Sequence, residues 1–163
     1  MTARLISLLG TACALVLCAS TPSPVPAAQL NSTANECQPF FEPPENFGRS
    51  EKGIFTQPGV VNGEVVCSVP RIPDGGGANF YIDGDNFVSG AYIDCVLISW
   101  GENLHTLAQL SIHSTDPHYD VFVSLAPAQV DSRGFITLNC LLPNYQQGIL
   151  RGITTLPQPP VLL

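Results

Sequence analysis

The residues best suited to chemistry lie between positions 105 and 120, where the chain carries all of its histidines and two aspartates. They are His105, His113, Asp116, His118 and Asp120. A catalytic zinc needs three nitrogen or oxygen ligands converging at about 2.0–2.2 Å, which makes His113, Asp116 and His118 the candidate metal ligands. However, Asp116 precedes a proline within a polar run, which is typical of a turn. We therefore expect a solvated loop here rather than a metal site.

A second candidate site is the segment Asp83–Asn86, whose closely spaced oxygen atoms are potential calcium ligands. Asp83 and Asp85 would be the ligands, but the segment lacks the repeated aspartates and the distal glutamate of an EF-hand. Gly84 suits a positive φ, and Asp85 and Asn86 tolerate turn positions. The simpler expectation is a hairpin connection.

Patterns that would name another activity are missing from the sequence. There is no Gly-x-Ser-x-Gly elbow, and the glycine-rich stretch 74–77 has neither the following helix nor the Lys and Ser/Thr of a phosphate-binding loop. Carboxylate pairs for glycoside chemistry are equally unmarked. We expect no cofactor and no catalytic activity.

The first 28 residues have the pattern of an export signal. Arg4 is the only charge in this stretch, and the apolar run Leu5–Ala19 is too short to span a bilayer. Small residues allow cleavage after Ser20 or after Ala28, and we favour Ala28. Cys18 follows Leu17 rather than a small residue, so we expect a protein without a lipid anchor or an integral membrane segment once the signal is removed. The predicted location is secreted or periplasmic.

The chain is acidic, with six basic and 13 acidic residues. Loss of Arg4 with the signal would take the net charge from −7 to −8. A chain of this charge repels phosphate backbones, so we expect no nucleic-acid partner.

Alternation of apolar and polar residues predicts an all-β fold with about eight strands, and no segment shows helical periodicity. The predicted strands are Gly53–Gln57, Glu64–Val69, Ala78–Asp83, Tyr92–Ser99, Thr106–Ile112, Tyr119–Leu125, Gly134–Leu141 and Ile149–Leu156. Short strands separated by turn residues favour an antiparallel, jelly-roll-like β-sandwich. The predicted organisation is a signal peptide at 1–28, an irregular proline-rich segment at 29–52, the sandwich at 53–156 and a tail at 157–163.

Four cysteines remain beyond the export signal, and they are expected to form two disulfides. Three pairings are possible. Cys95 and Cys140 both fall on the apolar phase of their strands, which favours their pairing and leaves Cys37 with Cys67.

Four segments carry a resemblance that covers about two thirds of the chain. They are Val66–Pro70, Tyr92–Leu97, Leu138–Pro143 and Gly148–Ile153. This pattern resembles a set of exported bacterial β-sandwich proteins of unknown function, mostly from proteobacteria. The resemblance implies a fold and an export route, and it brings no activity.

The leading functional hypothesis is a non-catalytic binding or interaction module, with a protein or a glycan as its ligand. One alternative is a metal-dependent hydrolase, or another enzyme, that uses the loop of His113, Asp116 and His118. Another is a structural subunit of a surface assembly, which would exchange strands between copies.

Overall fold

The structure is a computed structural model that describes residues 29–61, 63–70 and 77–157. Within these residues the chain forms eleven strands and four short 3-10 turns. The strands are β1 (Leu30–Thr33), β2 (Gln38–Pro39), β3 (Phe47–Ser50), β4 (Gly53–Thr56), β5 (Gly63–Val69), β6 (Ala78–Asn86), β7 (Ile93–Trp100), β8 (Thr106–Ser114), β9 (His118–Leu125), β10 (Phe135–Leu142) and β11 (Gly148–Pro157). The export signal at 1–28, the glycine-rich stretch apart from its last residue, and the tail beyond residue 157 lie outside the described residues.

The strands form two antiparallel sheets that pack face to face, so the predicted all-β sandwich is confirmed. Sheet A has the order β3-β4-β11-β6-β9, and β1 also pairs with β11. Sheet B has the order β2-β5-β10-β7-β8. From β4 to β11 the chain changes sheet at every connection except β7–β8, which is the strand order of a jelly roll.

The core lies between the two sheets and is filled by the apolar phase of each strand. In β7 the buried residues alternate strictly with half-buried ones, which is the pattern of a strand with one face in the core. The largest fully buried apolar side chains are Phe80, Ile54, Ile82, Ile93, Leu97, Leu125, Leu138, Leu142, Leu150, Ile153 and Val65. Their burial supplies the main favourable free energy of folding.

Two disulfides join neighbouring strands of sheet B. Cys95 and Cys140 stand directly opposite each other in the β7–β10 ladder, with both side chains in the core. Cys37 bonds to Cys67, which ties the residue before β2 to the adjacent strand β5. These are the pairings that the inward register of the cysteines favours.

The eight predicted strands are all present, but the structure differs from the sequence-based expectation in two regions. The segment 29–52, expected to be irregular, contains three short strands, each ordered by pairing with a longer strand or a hairpin partner. The hairpin expected at Asp83–Asn86 is wrong, because β6 continues through this segment and pairs there with β9 and β11. Gly84 is a strand residue, and its φ is not positive.

No helix among the described residues has the length and apolar character required to cross a bilayer.

Candidate binding site on the outer face of sheet A

Polar and aromatic side chains form three successive rows on the outer face of sheet A, where β6 pairs with β9. The cross-strand partners are Tyr81 with Phe122, Asp83 with Asp120, and Asp85 with His118. Alternation along each strand places all of them on the side away from the core. The rings of Tyr81 and Phe122 lie 5.2 Å apart, and Phe122 is 52% exposed.

Arg151 reaches the same face from β11 because the ladder between β11 and β6 is irregular at this residue. The register shifts between Leu150 and Gly152, and Arg151 is the extra residue of this bulge. Leu150 on one side is fully buried, whereas the Arg151 side chain is half-exposed. The bulge therefore directs the guanidinium over the outer surface of β6.

Asp85 is the central acceptor of this face. Its side chain is only 4% exposed, and one carboxylate oxygen forms an ion pair with the Arg151 guanidinium. The other oxygen lies 2.5 Å from Nδ1 of His118. A buried carboxylate requires such partners, because an unpaired charge would lose its hydration without compensation.

Asp83 lies between the aromatic row and Asp85, and its environment opposes ionisation. Partial burial raises the pKa of its carboxyl group, the guanidinium of Arg151 lowers it, and the nearby carboxylates of Asp120 and Asp85 raise it again. The net direction is upward. Asp83 and Asp120 are therefore two carboxylates at one register position, and the nearby Arg151 guanidinium offsets their repulsion only in part.

All of these side chains except Phe122 line an open depression with a volume of about 620 Å³, and Phe122 lies beside it against Tyr81. Gly84 and the buried Tyr119 lie beneath its centre, and Gln29, Thr154 and Leu156 complete its edge. The Tyr119 hydroxyl passes under Gly84 and donates a hydrogen bond to the carbonyl oxygen of Ile149 at 2.9 Å. Burial raises the pKa of this tyrosine strongly, so it remains a neutral donor.

The structure does not bring His113, Asp116 and His118 together as one ligand set. His113 lies at the end of β8 on the outer face of sheet B, where its Nδ1 is 2.5 Å from the carboxylate of Asp94. His118 begins β9 in sheet A and contacts Asp85 instead. Across residues 29–61, 63–70 and 77–157, no group of three or more His, Cys, Asp or Glu side chains has the geometry to hold a metal ion.

The calcium candidates, Asp83 and Asp85, do lie on one face of β6. Asp85 is already paired with Arg151 and His118, which leaves Asp83 and Asp120 as the carboxylates open to a ligand. A guanidinium at this position supplies the positive charge that a bound cation would otherwise contribute.

Trp100 lies on the outer face of the opposite sheet, away from this depression. Its ring stacks on Phe135 with centroids 5.9 Å apart, and its Nε1 donates to the hydroxyl of Thr137 at 3.1 Å. This pair provides a natural comparison for the aromatic row of sheet A.

Sequence reasoning missed the main features of the site. Tyr81 and Phe122 occupy positions of their strands that alternation assigns to the solvent-facing side. A large aromatic residue at such a position is the sequence feature that indicates a binding surface here. Arg151 has no comparable signal, because a bulge breaks the alternation that would assign it to a face.

No family model matches this chain, and no curated protein matches it. Among solved structures, the chain is similar to the CBM36-1 domain of a multidomain xylanase from the hindgut metagenome of Trinervitermes trinervoides. That comparison has a TM-score of 0.48 and 11% sequence identity, and it covers 82% of this chain and 100% of the other. It is also similar to the C-terminal CBM6 of LamC, a laminarinase from Zobellia galactanivorans, with a TM-score of 0.46, 11% identity, and coverage of 79% and 99%. A third likeness is to the GH26-CBM35 β-(1,4)-mannanase of Podospora anserina, with a TM-score of 0.44, 14% identity, and coverage of 81% of this chain and 28% of that one.

Proposed function

We propose that this protein is a non-catalytic binding module that holds a saccharide on the outer face of sheet A. The observation that carries the proposal is that Tyr81, Asp83, Asp120 and Arg151 line one open depression, with the exposed ring of Phe122 packed against Tyr81 beside it. The site is therefore aromatic at one end and hydrogen-bonding at the other.

This combination suits the chemistry of a sugar ring, which has an apolar face of C–H groups and an edge of hydroxyls. The exposed ring of Phe122 offers a surface for the apolar face. Carboxylate oxygens accept hydrogen bonds from hydroxyls, and the guanidinium donates to ring or hydroxyl oxygens, so both kinds of contact are charge-assisted. Ligand sites commonly combine apolar surface with a few such polar groups.

The electrostatics of the depression favour a neutral or amine-bearing sugar over an acidic one. Asp83 and Asp120 lie next to each other, and the single guanidinium is already paired with Asp85. A ligand carboxylate would meet like charges, whereas hydroxyl or ammonium groups would find acceptors.

The two disulfides support a location in an oxidising compartment, so we propose that the protein acts outside the cytoplasm, in the secreted or periplasmic space. Free and polymeric saccharides are ligands that such a location makes accessible.

The test is a glycan array followed by calorimetry with the best ligand, using Phe122→Ala and a matched control. Phe135→Ala removes a similarly exposed phenylalanine from the opposite sheet. We expect Phe122→Ala to weaken binding about 2- to 12-fold, as loss of one aromatic contact would, and Phe135→Ala to leave it unchanged.

Three results would count against the proposal. One is the absence of binding to any array member, and another is an equal loss in both variants. The third is release of new reducing ends from the bound polysaccharide, which would show that the protein is an enzyme rather than a binding module.

A further inference from the structure

One end of the sandwich exposes most of the large apolar side chains that are accessible in the described residues. This is the end at which β6 connects to β7 and β10 connects to β11. We name it the apolar end and define it by six exposed residues: Phe41, Val61, Phe87, Val88, Tyr92 and Tyr145. Isolated exposed apolar residues are ordinary, but a group gathered at one place marks an interaction site.

Backbone hydrogen bonds join the connecting segments of the apolar end into one surface. The bonds run from the amide of Gln57 to the carbonyl of Asn46 at 2.7 Å, Tyr145 to Val60 at 3.3 Å, Phe87 to Gln147 at 2.6 Å, and Asn86 to Pro117 at 3.0 Å. The first three bonds each link two different connections, and the fourth ties the end of β6 to the connection between β8 and β9. The apolar side chains are therefore presented by loops that support one another, which lowers the entropic cost of binding a partner.

The backbone at Tyr145 adds a second indication that this end is functional. Tyr145 and Gln146 have φ values of 51° and 62°, so two successive residues other than glycine adopt the left-handed conformation. Such strain persists where surrounding contacts fix it, and it is enriched at binding sites. Here the Gln146 amide donates to the Thr56 hydroxyl at 3.3 Å, and Tyr145 is left half-exposed.

The charge of this end restricts what can cover it. The five connecting segments, as far as the structure describes them, are 40–46, 57–61, 87–92, 115–117 and 143–147. They contain Glu42, Glu45 and Asp116 but no Lys or Arg. A second copy of the same end would place carboxylates against carboxylates, and an anionic lipid surface would be repelled. A partner complementary to this end would therefore have an apolar surface flanked by basic residues.

We propose that the apolar end docks a polypeptide segment of another protein, in which apolar side chains are flanked by Lys or Arg. A small cavity of about 120 Å³ lies within this surface, between the segments 87–92 and 143–147. Tyr92 and Pro143 form part of its wall. This surface is separate from the depression on sheet A, so the inference does not depend on the saccharide site.

The experiment selects binders from a displayed library of random 12-residue peptides against the intact mature protein. We expect enriched sequences with an apolar centre and a net positive charge, and an affinity that falls at least about tenfold between 50 and 500 mM NaCl. The triple variant Phe41→Ser, Phe87→Ser, Tyr145→Asn should lose these binders. Asparagine is chosen at Tyr145 because it tolerates the left-handed conformation.

The matched control is Leu104→Asn, an exposed left-handed residue at the opposite end of the sandwich, which should retain full binding. A second variant, Glu42→Gln, Glu45→Gln, Asp116→Asn, keeps the apolar surface and should lose the salt dependence together with the preference for basic peptides. The Phe122→Ala variant should bind these peptides normally, which separates this surface from the saccharide site.

The proposal is overturned by any of several results. These are failure to enrich a consensus, enrichment of neutral or acidic peptides, and binders that survive the triple variant. Retention on phosphatidylcholine vesicles abolished by the triple variant would identify a membrane as the occupant instead. Concentration-dependent dimerisation abolished by the same variant would identify a second copy.

Discussion

Asp83 and Asp120 face each other directly across the ladder between β6 and β9, so two carboxylates share one register position. Like charges placed directly opposite in a sheet repel, and partial burial adds to the cost of ionising Asp83. The repulsion between these carboxylates lowers the stability of the fold. A ligand that donates hydrogen bonds to both of them would reduce that repulsion.

The first prediction concerns this pair. Asp120→Asn removes a neighbouring negative charge, so the pKa of Asp83 should fall toward its ordinary value of 3.8. Carboxyl NMR titration of wild type and variant measures the shift directly. An unchanged or higher pKa of Asp83 in the variant would contradict the assignment of Asp120 as a contributor.

The same raised pKa determines how Asp83 affects stability as the pH changes. The native state holds this proton more tightly than the unfolded state, so the Asp83 contribution to stability decreases as the pH rises from about 3.8 through the raised pKa. Asp83→Asn should remove that decrease and raise Tm at pH 7 relative to wild type. Measuring Tm of wild type and variant from pH 3 to pH 8 tests this prediction. A lower Tm of the variant at pH 7 would contradict the expected destabilisation by ionised Asp83.

A second prediction separates the two partners of Asp85. Arg151→Met leaves a buried carboxylate without its counter-ion and should reduce the free energy of unfolding by about 2–4 kcal/mol. His118→Gln removes a largely exposed partner and should cost less than about 1 kcal/mol. Urea denaturation at pH 7 compares them. Equal losses in the two variants would show that Asp85 does not depend on the guanidinium.

The third prediction tests the candidate metal ligands through additivity. His113 and His118 lie on the outer faces of different sheets and contact different carboxylates, Asp94 and Asp85. The effects of His113→Ala and His118→Ala on stability should therefore add within about 0.5 kcal/mol. Coupling well above this value, together with one bound metal per chain by elemental analysis, would support a shared metal site instead.

A fourth prediction concerns Gly84. A Cβ atom at this position would lie 2.0 Å from the Tyr119 hydroxyl oxygen and 2.2 Å from the carbonyl oxygen of Ile149. Gly84→Ala must displace β11 backbone as well as a side chain, and we expect a loss of about 2 kcal/mol or more. Truncating the tyrosine with Tyr119→Phe should not rescue it, because the Ile149 carbonyl remains. A neutral Gly84→Ala substitution in thermal denaturation would show that the two strands can separate here without cost.

A further prediction concerns the disulfides, which close segments with sequence separations of 30 and 45 residues. In the chain-entropy treatment each bond stabilises the fold by about 3–4 kcal/mol. The double variant Cys95→Ala, Cys140→Ala should lower the free energy of unfolding by that amount, and Cys37→Ala, Cys67→Ala by a similar amount. Non-reducing peptide mapping confirms the pairing first. A Cys67–Cys140 peptide would contradict it.

Alternation was sufficient to locate eight of the eleven strands, because a strand with one face in the core repeats its apolar pattern with period two. Alternation does not identify segments that are extended only because they pair with a neighbouring strand. Leu30–Thr33 has no clear alternation and becomes a strand by pairing with β11. Asp83–Asn86 has the composition of a turn, yet pairing on both sides keeps it extended. In these segments tertiary pairing overrides local preference.

The candidate site was beyond sequence reasoning for a related reason. Its side chains come from β6, β9 and β11, which are neighbours in sheet A but far apart in the chain. The sequence indicates Asp83 and Asp85 as candidate ligands, but the residues beside them depend on cross-strand register, which no local pattern specifies. The position of the Arg151 side chain depends, in addition, on the single β-bulge in β11.

The repeated passage of the chain from one sheet to the other has a consequence for how this protein folds. Neither sheet consists of one continuous stretch of sequence, so neither can form before segments distant in the chain have met. Loop closure between such segments must precede most of the favourable contacts, and this topology is associated with slow, highly cooperative folding. Refolding should therefore take milliseconds to seconds rather than microseconds, with both sheets gaining protection from hydrogen exchange together.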